Sequence, residues 1–308
     1  MTDSIHLRLP ATSANLGPGF DTLGLAMDFA LNITARPAET FTIHATGRNA
    51  AQCGDVEDSL VVETYRSVLT GQGIDPSQLH LDVNNEIPLG MGCGSSAAAL
   101  VAGVALASHF GGLRWTREQI LNEASLREGH PDNVAACVLG GLTVSSMNTL
   151  TGGSTIVDAL SIQPPAAWKL LLAMPSASLS TSKARALLPE TYSRADAILN
   201  LQRVAMLTAA FAQGRGDLLE RAMEDRIHQP YRAVVCPLLG RLLPLAGRNG
   251  VLGVALSGAG PSALLLLDAS ADVAAVQESV MSRLSGGVEP LSAELMVTRI
   301  GAGATISN

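Results

Sequence analysis

Apolar residues switch between a period of two and a period near 3.6 along this chain, and each switch marks an element. Residues 6–9 read as a strand that runs into Pro10. Residues 31–36 and 40–45 read as strands split by Pro37, and residues 79–83 alternate as a strand does. Leu60, Val61, Tyr65, Val68 and Leu69 recur at helical spacing within residues 58–70. A long apolar stretch predicts a helix over residues 96–109, stopped by Gly111 and Gly112 where a C-terminal cap belongs. Residues 117–125 predict a second helix with Thr116 as N-cap. Residues 130–139 predict a third, opened by Pro131 and closed by Gly140 and Gly141. Residues 142–146 then read as a strand and residues 149–154 as a turn.

The second half predicts strands over residues 169–174, 251–256, 263–267 and 293–299, with helices over 194–213, 217–226 and 271–284. Strands and helices mixed without regular βαβ alternation favour an α+β fold over a doubly wound sheet. Gln163, Pro164 and Pro165 punctuate the middle, which predicts a unit over residues 1–164 and another over 165–308.

Composition narrows the function classes. Of 308 residues, 47% are apolar and 15% charged, enough for a real core. Aromatics are only 3%, so that core rests on Leu, Val, Ile and Ala. The net charge of −7 and the lack of a basic run argue against nucleic acid and anionic membrane as partners. Cys53, Cys93, Cys137 and Cys236 form no close pair and suit reduced thiols. The N-terminus lacks the basic start and apolar core of a signal peptide. The apolar run at residues 97–110 is shorter than the roughly 20 residues that span a bilayer. The expected compartment is the cytoplasm.

Candidate chemistry gathers in glycine-rich loops. Pro88, Leu89, Gly90, Met91, Gly92, Cys93, Gly94, Ser95, Ser96, Ala97 and Ala98 lie between a strand and the apolar helix. Glycines at alternate positions let the backbone approach a ligand. The helix that follows offers free N–H groups and the positive end of its dipole, which suits phosphate. The Ser95 and Ser96 hydroxyls can bond phosphate oxygens or ligate Mg²⁺. No lysine follows the glycines, which excludes a Walker A loop, and the spacing GxGxG is not the Rossmann fingerprint. A plain helix-capping turn would leave the same glycines.

Two further loops carry polar groups. Asn15 and Asp21 sit in residues 10–21, a stretch dense in Gly, Pro, Ser and Asn that reads as a loop. His130 and Asn133 sit at a helix start, where Asp132 and Asn133 could equally be caps. Residues 257–262 form a third glycine turn after a strand.

Taken together, these motifs resemble the group of galactokinase, homoserine kinase, mevalonate kinase and phosphomevalonate kinase. The hallmark of that group is a PxxxGxGSSAA loop, matched at residues 88–98. Within it, PATSANLGPGFD at 10–21, EGHPDNVAA at 128–136 and SGAGPS at 257–262 resemble the homoserine kinases, in the right order along nearly the whole chain. The resemblance implies an N-terminal domain like ribosomal protein S5 domain 2, a C-terminal ferredoxin-like domain, and ATP and L-homoserine bound between them. It implies phosphorylation of the homoserine side-chain hydroxyl, a step in threonine synthesis, with Mg²⁺ and with a homodimer as a family habit.

Homoserine is a zwitterion and needs an anion for its ammonium and cations for its carboxylate. The resemblance assigns Asp21, with Asn15 beside it, to the first, and Arg185 and Arg232 to the second. A guanidinium fork suits a carboxylate. His130 and Asn133 would hold the substrate near its hydroxyl, and Gly260 would approach it by backbone. Asn133 cannot accept a proton, and Asp132 at its helix start is expected to point elsewhere, so transfer without a protein base is expected. Two departures stand out. Cys93 replaces a usual Leu or Met. Leu126 stands where a Mg²⁺-holding carboxylate is usual, so Ser96 and Glu123, or else Glu128, are the expected metal ligands. Lys183, one of only two lysines, is placed to reach a phosphate or to stay in solvent.

Overall fold

A computed structural model describes residues 4–286 and 289–307. The chain opens with two long antiparallel strands, β1 (Ile5–Asn15) and β2 (Gly19–Pro37), joined by a turn at Leu16, Gly17 and Pro18. The stretch 10–21, expected as a loop, is therefore mostly strand. Its Ala, Thr and Ser side chains are buried, which overrides the loop signal of their polar neighbours. β3 (Thr42–Gly47), the short helix α1 (Ala50–Cys53), α2 (Leu60–Gly71) and β4 (Leu79–Asn85) follow.

The next segment holds α3 (Ser95–Phe110), α4 (Arg117–Glu128) and α5 (Asp132–Leu139), then the hairpin β5 (Leu142–Thr149) and β6 (Thr155–Ile162). Thr116 caps α4 as expected, through a capping box with Gln119. Residues 155–162 carried no strand expectation. Their outward side chains are largely exposed, so the apolar alternation is weak. Among the described residues, the first sheet runs β11–β1–β2–β4–β3, with β5 and β6 attached along β2, where β11 is Thr305–Ser307. The last residues of the chain thus return to the first sheet.

The second unit contains β7 (Lys169–Met174), α6 (Thr181–Arg185), α7 (Arg194–Gln213), α8 (Leu219–Ala222), α9 (Gln229–Arg232), α10 (Pro237–Leu242), β8 (Val251–Leu256), β9 (Ala263–Leu267), α11 (Val273–Ser285) and β10 (Glu294–Arg299). The helix expected over 217–226 is only the single turn of α8, extended by a 3₁₀ turn. The short helices α6, α9 and α10 are new. The sheet order β10–β7–β9–β8, all antiparallel, is the split βαββαβ arrangement of a ferredoxin-like domain.

Burial explains both layers. Every side chain of β9 is buried, and burying each Leu contributes roughly 1.5–3 kcal/mol. Leu170, Leu172, Leu264 and Leu266 face Leu207, Phe211 and Trp168, while Leu171, Leu265 and Leu267 face Val276, Val280 and Leu284. Helix α3 is buried from Ala97 to Ser108 apart from Ala99, so it reads as apolar on every side. Its N-terminus is left facing the cleft between the two sheets.

Candidate active site

The cleft is assembled from six places in the chain: the β1–β2 turn, the loop before α3, the α4–α5 junction, α6, α9 and the β8–β9 turn. A cavity of about 90 Å³ there is lined by Asn15, Asp21, Gly92, Ser96, His130, Asn133, Arg185, Arg232 and Gly260. The structure brings together every polar residue that the sequence assigned to the substrate. A second, more apolar cavity of about 300 Å³ shares Ser95 and Ser96 with the first and extends over Ile43, Leu60, Val61, Leu81 and Ile87. Sequence reasoning missed this cavity, because Leu81 and Ile87 carry the same apolar signal whether they face core or ligand.

The glycine-rich loop before α3 is a backbone device. Gly90, Gly92 and Gly94 all take positive φ, near 70°. A Cβ on Gly92 would stand 2.1 Å from the Ser257 carbonyl oxygen, and one on Gly94 would stand 1.8 Å from Thr12 Oγ1. The loop therefore packs against β1 and the β8–β9 turn at distances open only to glycine. The Ser257 hydroxyl lies 2.7 Å from the Gly92 carbonyl and 2.9 Å from Ser13 Oγ, closing that contact. Gly94 is the N-cap of α3, so the free N–H groups at Ser95 and Ser96 point into the cleft. Cys93 is buried beneath the loop, and burial pushes its thiol up to about 12, which makes it an apolar filler rather than a nucleophile. Ala97 and Ala98, expected at the ligand, are instead fully buried in the core. Pro88 and Met91 line neither cavity.

The opposite wall is made of side chains. Asn15 and Asp21 adopt positive φ, 72° and 55°, in the turn between β1 and β2. Asn15 braces that turn. Its Nδ2 donates to the Gly258 carbonyl at 2.9 Å, and its Oδ1 accepts from the Asp21 backbone N–H at 3.1 Å. Arg185 donates from both terminal nitrogens to the two Asp21 oxygens at 2.8 Å, and this bond holds the guanidinium above its ordinary value. Arg232 is not at the surface. It is 1% exposed, donates to Ala184 O and His228 Nδ1, and burial disfavours its charge. Both guanidiniums lie over the Phe20 ring, that of Arg185 at 5.1 Å and that of Arg232 at 5.3 Å from its centroid.

At the floor, Asn133 Oδ1 accepts from the Thr12 hydroxyl at 2.8 Å. Asp132, expected to point elsewhere, is buried in the cleft wall and bonds His130 Nδ1 at 2.8 Å and the Asn133 N–H at 2.6 Å. Burial works against a charge on His130. The Asp132 bond and the nearby Asp132, Glu128 and Asp21 carboxylates outweigh it, so the imidazolium is stabilised above its ordinary value.

The metal expectation is corrected in part. Glu123 pairs with Arg127 at 2.8 Å and lines a separate groove with Trp115 and Ile156. Glu128 lines the cleft and accepts from the Ser96 hydroxyl at 2.8 Å, and burial raises its carboxyl. Ser96 and Glu128 together offer hard oxygen donors at the helix terminus, which fits Mg²⁺. Lys183 sits on the exposed side of α6 and lines neither cavity.

Comparison with known proteins places the chain among its relatives. The profile for the GHMP kinases N terminal domain matches residues 59–141, and that for the GHMP kinases C terminal matches residues 207–285. The homoserine kinase of Solibacter usitatus is 46% identical over 263 residues, 85% of each chain. That of Deinococcus radiodurans is 41% identical over 264 residues, 85% of this chain and 84% of its own. The crystal structure of homoserine kinase from Cytophaga hutchinsonii superposes with a TM-score of 0.77 at 26% identity, covering 100% of this chain and 98% of that one.

Proposed function

The chain belongs to the homoserine kinase family of the GHMP kinases, and from that premise we propose how its cleft transfers phosphate from ATP to the side-chain hydroxyl of L-homoserine. The observation that carries the reading is the Asp21–Arg185 pair. It sets one anion and one cation side by side, facing the N-terminus of α3, with a second guanidinium at Arg232. A zwitterion matches that wall, with its ammonium at Asp21 and its carboxylate at Arg185 and Arg232. A sugar or a mevalonate-like acid would bring no ammonium to Asp21 and would leave it to Arg185 alone.

The nucleoside of ATP fits the larger apolar cavity, and its phosphates fit the loop from Gly90 to Ser96. Mg²⁺, held by Ser96 and Glu128, would neutralise charge on those phosphates. The homoserine oxygen bonds the γ-phosphorus as the bond to the β–γ bridging oxygen breaks, and ADP leaves. Asn133 and His130 orient the hydroxyl. No side chain serves as the base. Asn133 cannot take a proton, Asp132 Oδ1 is committed to His130 and a backbone N–H, and His130 favours its charged form. The hydroxyl proton passes to a phosphoryl oxygen, and catalysis rests on positioning and charge stabilisation. The proposal includes the cytoplasm as compartment, consistent with four free cysteines. An ADP-release assay against homoserine, mevalonate, galactose and shikimate tests the reading. Turnover with homoserine alone is expected, and turnover with mevalonate or galactose but not homoserine would refute it.

A further inference from the structure

Asp21, near the start of β2 in the first sheet, and Arg232, on α9 of the second unit, are far apart in the chain, yet the substrate must span both at a fixed spacing. Asn200 ties the β1–β2 turn to Arg226, and a second buried side chain reaches from the same turn to Arg232 itself. His228, at the start of α9, is fully buried, and its Nε2 lies 2.8 Å from the Gly17 carbonyl oxygen in the β1–β2 turn. Its Nδ1 lies 3.0 Å from a terminal nitrogen of Arg232. Phe20, one residue before Asp21, stacks on the His228 ring with centroids 5.4 Å apart. On the other side, Asp225 accepts the backbone N–H groups of Ile227, His228 and Gln229, fixing the ring's own backbone.

Chemistry settles the protons. A guanidinium only donates and a carbonyl only accepts, so Nδ1 must carry the lone pair and Nε2 the hydrogen. The relay is then single-valued: Arg232 donates to Nδ1, and Nε2–H donates to Gly17 O. A charged imidazole would present a hydrogen to Arg232 and break it. Burial, with the Arg232 charge, lowers the ring to about 4 against the opposing pull of the Asp225 carboxylate 3.6 Å from Nε2 and of Asp21. Arg232 commits two of its five N–H donors to Ala184 and His228, and the rest remain for a ligand in the cleft that it lines.

We propose that His228 is a positioning residue that holds Arg232 against the β1–β2 turn and so sets the distance between the carboxylate-binding and ammonium-binding ends of the substrate site. The proposal rests on the reading that Arg232 faces the homoserine carboxylate. Two near-isosteric substitutions separate the halves of the relay. His228→Asn keeps an acceptor at the place of Nδ1 but does not reach Gly17. His228→Gln keeps a donor at the place of Nε2 but loses the acceptor for Arg232.

Steady-state kinetics of the full chain, with KM for homoserine and for ATP measured separately, test it. Arg232→Met and His228→Gln are each expected to raise KM for homoserine by roughly 10-fold, with KM for ATP unchanged. The double variant is expected to be no worse than Arg232→Met alone, and His228→Asn, which keeps the acceptor for Arg232 but cuts the tie to Gly17, is expected to raise the homoserine KM as well. Additive penalties in the double variant would overturn the relay, as would a normal homoserine KM in His228→Gln beside a raised one in Arg232→Met. A normal KM in Arg232→Met sinks the carboxylate reading itself, which is a different failure. Should His228→Gln not fold, His228→Asn still decides, because a wild-type homoserine KM in that variant overturns the tie to the turn.

Discussion

The two ends of the cleft bind charge by different means. The phosphate end is backbone: three glycines at positive φ, the N-terminus of α3, and no cation among the residues of the loop. The substrate end is side chain: Asp21, Arg185 and Arg232, brought from positions up to 211 residues apart in the chain and braced by Asn15, Phe20 and His228. Backbone N–H groups and a helix dipole accept any phosphate. Paired side chains of opposite sign accept only a ligand with matching charges at the matching spacing. On the proposed reading, the first end therefore serves the phosphoryl chemistry and the second selects the substrate.

That division has consequences for substitution. Gly92→Ala should give the largest loss, because its Cβ meets a backbone carbonyl that has no side chain to move aside. A displacement near 1 Å at a reacting group costs about 100-fold in rate, so kcat at saturating homoserine and ATP should fall by about that factor, with melting temperature measured as a control. A wild-type kcat would show that the loop does not set the phosphate position. Arg185→Ala should act differently. It should lower kcat/KM for homoserine by roughly 10- to 150-fold through lost charge-assisted bonds, while KM for ATP stays unchanged. An equal loss toward both substrates would erase the contrast between the ends.

The same contrast explains what the sequence could reveal. Gly90, Gly92 and Gly94 are local, so their spacing marks a close-approach glycine turn before a helix without any knowledge of the fold. Strands β7, β8 and β9 were equally plain, since their apolar runs are bounded by glycine and proline. The substrate end was reached only through a family resemblance, because nothing in residues 180–185 or 228–232 says that they meet residue 21. Periodicity also failed where tertiary burial overrides composition. Residues 11–15 look like loop but are strand, because the sheet buries their small side chains. His228 left no signal at all, since a lone histidine before Gln-Pro looks the same in a core as in a relay.

The proposed metal position lies at the junction between the ends, where Glu128 rather than Glu123 meets Ser96. Glu128→Gln should raise the Mg²⁺ concentration for half-maximal rate by about 10-fold, the lower range for a group that holds or orients a metal. Glu123→Gln should leave it unchanged, because that carboxylate is turned away toward Arg127. A Mg²⁺ titration of both variants at fixed ATP checks this. The reverse pattern would return the metal to α4 and make the phosphate end depend on a side chain after all.

The smallest effect should appear in stability rather than turnover, and it concerns the substrate end alone. The His228 imidazole is buried and neutral, lowered from 6.5 to about 4, chiefly by desolvation. In the unfolded chain the same ring takes a proton below its ordinary value. Between those two values the unfolded state binds more protons than the folded one, so stability falls as pH falls through that window and levels off below it. The contribution is fully present above pH 6.5. His228→Asn removes the titrating group, so the melting temperature of the variant should decline less than that of the wild type between pH 6.5 and about 4. Parallel curves would mean that the ring is not held neutral, and a ring free to charge could not accept from Arg232. Gly92→Ala, which leaves His228 in place, should keep the wild-type slope, so the measurement separates the two ends by their response to protons.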